Sequence, residues 1–146
     1  LNGVTIRLAT DDDLPVLRAI MDRAIGELQD AFLTPEQVTA SRAVMGLDTQ
    51  LIRDRSYFVA EVEGVPAGCG GWSARATLYG GDHSSGRDAR PLDPATEPAR
   101  VRAMYTDPGF ARRGIGRAVI AACEDAAAAA GFASVELMAT LSGEPL

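Results

Sequence analysis

The sequence predicts an α/β protein organised around one mixed sheet. Three observations carry this expectation. Short segments with apolar residues at every second position are interspersed with longer ones whose apolar residues recur at three and four, the periods of strand and helix. Two strand-like segments are separated only by Glu63-Gly64, a hairpin signal. Finally, a strand-like segment passes through a Pro/Gly-marked loop straight into an alanine-rich helical segment near Gly114.

Val4 to Leu8 alternates Val4, Ile6 and Leu8 against Thr5 and Arg7, a half-buried strand. Thr10 then offers an N-cap, and Asp13 three residues on completes a capping box. Leu14, Leu17, Met21, Ala24 and Leu28 follow on one face of a helix of roughly five turns. Thr34-Pro35-Glu36-Gln37 repeats the start signal, with proline at the first helical position, for a helix running to Gly46. Asp48 is expected to cap a further short helix through Arg53.

Ser56 to Glu63 and Val65 to Trp72 form the hairpin, with Pro66 acceptable only near the strand start or on an edge. Ala76 to Pro98 reads as a long connecting loop, with one turn of helix near Asp93. Arg100 to Thr106 alternates Val101, Ala103 and Tyr105 against Arg100, Arg102 and Met104, giving another strand. Ile115, Val119, Ala122, Cys123, Ala126 and Ala130 mark the buried face of the next helix, which Gly131 ends as a left-handed C-cap. Ala133 to Ala139 is a final strand, with Val135 and Leu137 turned to the core. The tail Ser142-Gly143-Glu144-Pro145-Leu146 reads as the start of another turn or helix. Residues 1–146 are therefore expected to be one domain, incomplete at the C-terminus and lacking further strands.

A chain of 146 residues can bury a proper core, and 47% hydrophobic with 23% charged residues is ordinary globular composition. No apolar run is long enough for a bilayer, and Leu1-Asn2-Gly3-Val4 resembles no signal peptide. The net charge of −6 argues against nucleic acid as a partner. It suits a cationic amine, although acidity also serves plain solubility. All 14 basic residues are arginine, so no lysine is present to form a Schiff base or clamp a phosphate. Cys69 and Cys123 stand apart with no CxxC or Cys/His cluster. No metal site is expected, small core residues are the natural reading, and a reducing cytoplasmic setting fits.

Asp107-Pro108-Gly109-Phe110-Ala111-Arg112-Arg113-Gly114-Ile115-Gly116-Arg117 is the stretch richest in chemistry. Backbone N–H groups at a helix start have no intrahelical partner, and the helix dipole adds partial positive charge. Glycine allows an anion to approach that backbone closely, and Arg112, Arg113 and Arg117 surround it. The result is a cradle for a phosphate or pyrophosphate. The P-loop spacing GxxxxGK[ST] and its lysine are absent, which disfavours a nucleotide-binding protein of that type.

With its order of elements and Met104-Tyr105-Thr106-Asp107-Pro108 followed by Gly114-Ile115-Gly116, the chain resembles the GCN5-related N-acetyltransferase (GNAT) superfamily over nearly its whole length. The family pattern is Arg/Gln-x-x-Gly-x-Gly/Ala after a strand; here its first position is Ala111. The resemblance implies an acyl-CoA N-acyltransferase fold, with acetyl-CoA as cosubstrate and an amine as acceptor. It implies that Met104, Tyr105 and Thr106 pair with the pantetheine arm, one of their N–H groups polarising the thioester carbonyl. It implies that Arg112, Arg113, Gly114, Ile115, Gly116 and Arg117 hold the pyrophosphate.

Direct attack by a neutral amine also needs a proton acceptor and an acid for the thiolate. Glu61 qualifies as acceptor only if it faces the groove, and otherwise is a solvated charge; His83 lies in the long loop. Tyr105 and Tyr79 are substitutes for the family's tyrosine acid, while Trp72 reads as core or groove wall. The catalytic residues thus stay unassigned. The expected function is acetyl transfer to a small-molecule or protein amine in a ternary complex. The alternative is a CoA-sensing or interaction module of the same fold. Neither nucleic acid nor membrane is an expected partner, and a homodimer is left open.

Overall fold

Residues 3–32, 49–75 and 91–137 are described by the structure, a computed structural model. Strand β1 (Val4–Leu8) is followed by a short 3-10 turn, Asp11–Asp13, and helix α1 (Leu14–Phe32). A short helix α2 (Thr49–Arg53) leads into β2 (Tyr57–Val62) and β3 (Val65–Ser73). Then come β4 (Ala99–Thr106), a 3-10 turn at Pro108–Phe110, helix α3 (Ile115–Ala129) and β5 (Val135–Leu137). The strands form one sheet in sequence order, antiparallel from β1 to β4, with β5 parallel to β4. The expected helix from Thr34 to Gly46, together with Tyr79 and His83, lies outside the described residues.

Local sequence accounts for most of these boundaries. Thr10 and Asp13 form the capping box, Asp13 Oδ2 accepting from the Thr10 N–H at 2.8 Å. Arg7 clamps the same carboxylate at 2.8 Å and holds its pKa down at about 2. Glu63 and Gly64 turn the hairpin with φ of 52° and 80°, two left-handed residues between the paired Val62 and Val65, as a two-residue hairpin requires. Pro66 is the second residue of β3, beside an irregularity opposite Ala60 and Glu61. The C-terminus of α3 closes as a Schellman motif. Gly131, at φ 96°, donates to Ala128 O and Phe132 to Ala127 O, each at 3.0 Å.

Two cores lie on opposite faces of the sheet. On one, Leu17, Ile20, Ala24 and Ile25 of α1 and Leu51 of α2 pack against Tyr57, Val59, Cys69 and Tyr105. On the other, Ile115, Val119 and Cys123 of α3 pack against Ala60, Ala67 and Val101. Alternation along β2 divides Tyr57 and Val59 from Phe58 and Ala60 in this way. A third cluster joins Leu92, Ala99, Ala127 and Phe132, with Trp72 edge-on to Phe132 at 6.1 Å. Trp72 is thus part of the packing rather than an open wall.

Two expectations need correction. The alternation expected along β4 breaks: Val101 and Met104 face α3, whereas Ala103 and Tyr105 face α1. Ala103 has φ 52°, and the β3–β4 register slips by one residue there, so Ala103 and Met104 together oppose Gly70. This is a β-bulge, which moves every later side chain to the other face. Leu137, expected in the core, is 39% exposed at the described end of β5. Near Asp93 the chain makes the expected single turn, the Glu97 N–H donating to Asp93 O at 2.8 Å.

Candidate active site at the β4 to α3 junction

β4 delivers the chain to its C-terminal end at Thr106, and Asp107 organises the departure. The Asp107 N–H donates to Ala67 O at 2.8 Å. Its Oδ1 accepts from the Gly109 N–H at 3.0 Å, capping the 3-10 turn. Its Oδ2 accepts from Arg23 of α1, at 2.6 Å from Nη2 and 3.2 Å from Nε. Burial would raise the Asp107 pKa, but the guanidinium and the Gly109 N–H outweigh it and hold the group below the usual carboxylate range. Asp107 is therefore an anion that ties the loop to β3 and α1.

Past Phe110 the backbone turns left-handed twice, at Arg112 (φ 62°) and Gly114 (φ 79°). Gly114 is the N-cap of α3, and no side chain caps this helix start. Ile115, Gly116 and Arg117 form its first turn, whose N–H groups have no intrahelical acceptor. Ile115 and Gly116 are buried and Gly114 half-buried, while Arg112, Arg113 and Arg117 are exposed. The Arg113 guanidinium lies 5.5 Å above the Phe110 ring, which restrains it over the loop. Uncapped donors with three cations around them make an anion-ready helix start. The residues present fit a pyrophosphate.

The bulged half of β4 lies just before this loop, and three glycines of β3 make room around it. A Cβ on Gly68 would come within 2.5 Å of Ile115 Cγ2, and one on Gly70 within 2.7 Å of both Val119 Cγ1 and Met104 Cγ. A Cβ on Gly71 would meet Tyr57 Cδ1 at 2.7 Å. Across β3, the Tyr57 hydroxyl donates to Ala103 O at 2.6 Å, with Cys69 Sγ 3.3 Å away.

Thus Met104, Tyr105 and Thr106 lie on the strand leading to the loop that holds Arg112 to Arg117. Tyr105 is buried against α1. The other candidates stand apart. Glu61 is ion-paired with Arg7 at 3.4 Å on the β1–β2 side of the sheet. Cys69 and Cys123 are buried, and burial pushes their thiols up to about 11 and about 12, so neither is a ready nucleophile. No cluster of three or more His, Cys, Asp or Glu side chains suited to a metal occurs among the described residues. No helix among them is long and apolar enough to cross a membrane. Sequence reasoning missed the bulge, Tyr57 and the Arg23–Asp107 pair. Its available signal was the glycine-rich Gly68-Cys69-Gly70-Gly71 inside a strand, a mark of bulges and close approach.

A mixed sheet whose bulged fourth strand runs into an anion-ready helix start defines a protein of the acyl-CoA N-acyltransferase fold. The profile of the acetyltransferase (GNAT) family matches residues 21–144, and the chain belongs to that family. A search of the curated proteins gives no match. Among solved structures it is similar to a GCN5-related N-acetyltransferase from Ralstonia eutropha JMP134, 23% identical with a TM-score of 0.59, covering 98% of this chain and 88% of that one. The PaiA N-acetyltransferase from Thermoplasma acidophilum, in complex with coenzyme A, is 10% identical with a TM-score of 0.66, covering 97% and 82%. An aminoglycoside acetyltransferase from an uncultured soil metagenomic sample, in complex with sisomicin, is 19% identical with a TM-score of 0.57, covering 99% and 82%.

Proposed function

We propose that this protein transfers the acetyl group of acetyl-CoA to an amine by direct attack within a ternary complex. The observation that carries the reading is the uncapped start of α3 at Gly114, placed at the end of a bulged strand. In this reading the N–H groups from Arg112 to Arg117 hold the pyrophosphate, with the three arginines adding charge. The backbone of Met104 to Thr106 pairs with the pantetheine arm. One N–H of that stretch stabilises negative charge on the thioester oxygen as the amine adds. The new N–C bond forms, the C–S bond breaks to expel CoA as thiolate, and the proton that the amine loses passes through solvent to that thiolate, leaving the amide and CoA thiol. Glu61 is a poor candidate for the base, because it is ion-paired with Arg7 on the β1–β2 side of the sheet, away from the β4 to α3 junction.

The net charge of −6 favours a cationic acceptor. The similar structure with sisomicin supports placing aminoglycosides in the first test panel. The test is thiol release from acetyl-CoA against polyamines, aminoglycosides, amino acids and peptides with a free N-terminus. Saturable release with at least one amine is expected. Tight CoA binding with none turned over would replace the enzyme by a CoA-sensing module.

A further inference from the structure

Tyr57 opens β2, pairs with Gly71 on β3, and is fully buried in the core beneath α1. Because Gly71 has no side chain, the ring can lie flat across β3, where a Cβ would sit 2.7 Å from Tyr57 Cδ1. The hydroxyl thereby reaches a strand two places away and donates to Ala103 O at 2.6 Å. That oxygen belongs to the bulge, where Ala103 holds φ 52°. A non-glycine residue keeps such a conformation only when its surroundings enforce it. Packing alone does not call for the hydroxyl, since a phenylalanine would fill nearly the same volume. The phenol's single proton goes instead to a strained carbonyl in the half of β4 that precedes the cradle.

A trans peptide is planar, with its carbonyl and the following N–H pointing in opposite directions. Fixing Ala103 O therefore fixes the direction of the Met104 N–H. We infer that Tyr57 is a positioning residue, a strut that orients the Ala103–Met104 peptide and aims the Met104 N–H at the thioester carbonyl of acetyl-CoA. The inference rests on the acetyltransferase reading. In the step it serves, the amine nitrogen bonds to the thioester carbon and the carbonyl oxygen takes up negative charge, which the Met104 N–H stabilises. As that charge collapses back the C=O re-forms and the C–S bond breaks, CoA leaving as thiolate and taking up through solvent the proton that the amine nitrogen loses. No proton passes through Tyr57.

The test is Tyr57→Phe, read as thiol release from acetyl-CoA with the preferred amine or, lacking one, with water. A preorganised donor that loses its aim costs rate rather than affinity. The expectation is a fall in kcat of about tenfold or more, with the acetyl-CoA KM and the calorimetric Kd for CoA within about twofold. Cys69→Ala, which alters packing beside the same hydroxyl, should leave kcat within about twofold. Should Tyr57→Phe not fold, Tyr57→Phe/Ala103→Gly decides. Glycine takes the left-handed φ without cost but does not aim the peptide, so kcat stays low in the folded double variant. The strut is overturned by unchanged kcat in the folded Phe variant or in the double variant. It is overturned equally by matched losses of kcat and CoA affinity, or by Cys69→Ala reproducing the Phe effect. Wild-type protein that binds no CoA would instead defeat the acetyltransferase reading itself.

Discussion

The two halves of β4 are built on different terms. Ala99, Arg100 and Val101 pair with Val135 to Leu137 on β5, while Arg100 and Val101 also face Ser73 and Trp72 on β3. Arg100 and Glu136, opposite one another in that ladder, form an ion pair. This half is an ordinary ladder that hydrogen bonds hold from both sides. From Ala103 to Thr106 the strand is bulged, one residue sits at positive φ, and glycines stand opposite. The ladder is interrupted at Ala103 and Met104 and resumes only on the β3 side, at Tyr105 and Thr106. Side chains from elsewhere contact this half as well: the Tyr57 hydroxyl at Ala103, and Ile115 and Val119 of α3 against Gly68 and Gly70. The regular half supports the fold, and the irregular half leads into the loop proposed to hold acetyl-CoA.

The largest effect expected from disturbing that irregular half belongs to Gly68→Val. Its Cβ would lie 2.5 Å from Ile115 Cγ2 and 3.0 Å from Tyr105 O, and backbone cannot easily give way. A loss of about 3 kcal/mol is expected, seen as a Tm lower by about 10 °C. A Tm unchanged by this substitution would mean that α3 does not rest on β3 there.

Asp107→Ala comes next. It removes the acceptor for the Gly109 N–H and the partner of Arg23, for a loss of about 1–2 kcal/mol in denaturant titration. Arg23→Ala should cost less, because the Arg23 side chain is half exposed and a surface pair is worth little. Equal losses would place the weight on the ion pair instead of the cap.

The smallest effect is the one in acid. Folding lowers the pKa of both Asp13 and Asp107, so their contributions are complete above the unfolded carboxylate value near 4. They fade as pH falls through the folded values, which for Asp13 is about 2. Stability should therefore be insensitive to these two groups from pH 7 to about 5 and drop below about 4. Asp13→Asn should flatten part of that drop in urea titrations between about pH 4 and 2. A drop of undiminished size in Asp13→Asn would show that its pairing with Arg7 adds nothing.

The regular elements were legible because local pattern determines them. Val4 to Leu8, the capping box at Thr10, the Glu63-Gly64 hairpin and the Gly131 cap each depend on residues a few positions apart. The glycine loop was legible for the same reason: Gly114 and Gly116 sit where strand gives way to helix. The bulge at Ala103 was not. Alanine carries no turn signal, and the side chain that meets its carbonyl, Tyr57, is 46 residues away in sequence. Leu137 likewise reads as core by alternation, yet the edge of the described sheet leaves it exposed. The Arg23–Asp107 contact spans 84 residues, a distance at which pattern is silent.

The central claim is that backbone at the start of α3 holds the pyrophosphate of acetyl-CoA. Calorimetric titration of CoA into wild-type protein, Gly114→Ala and Gly114→Glu tests it most directly. Both variants bear the cost of a side chain at φ 79°, but only glutamate puts a negative charge in the cradle. The account predicts CoA binding to wild type, a modest loss in Gly114→Ala, and a further loss of about 100-fold or more in folded Gly114→Glu. Folded Gly114→Glu that binds CoA within about twofold of Gly114→Ala would contradict it.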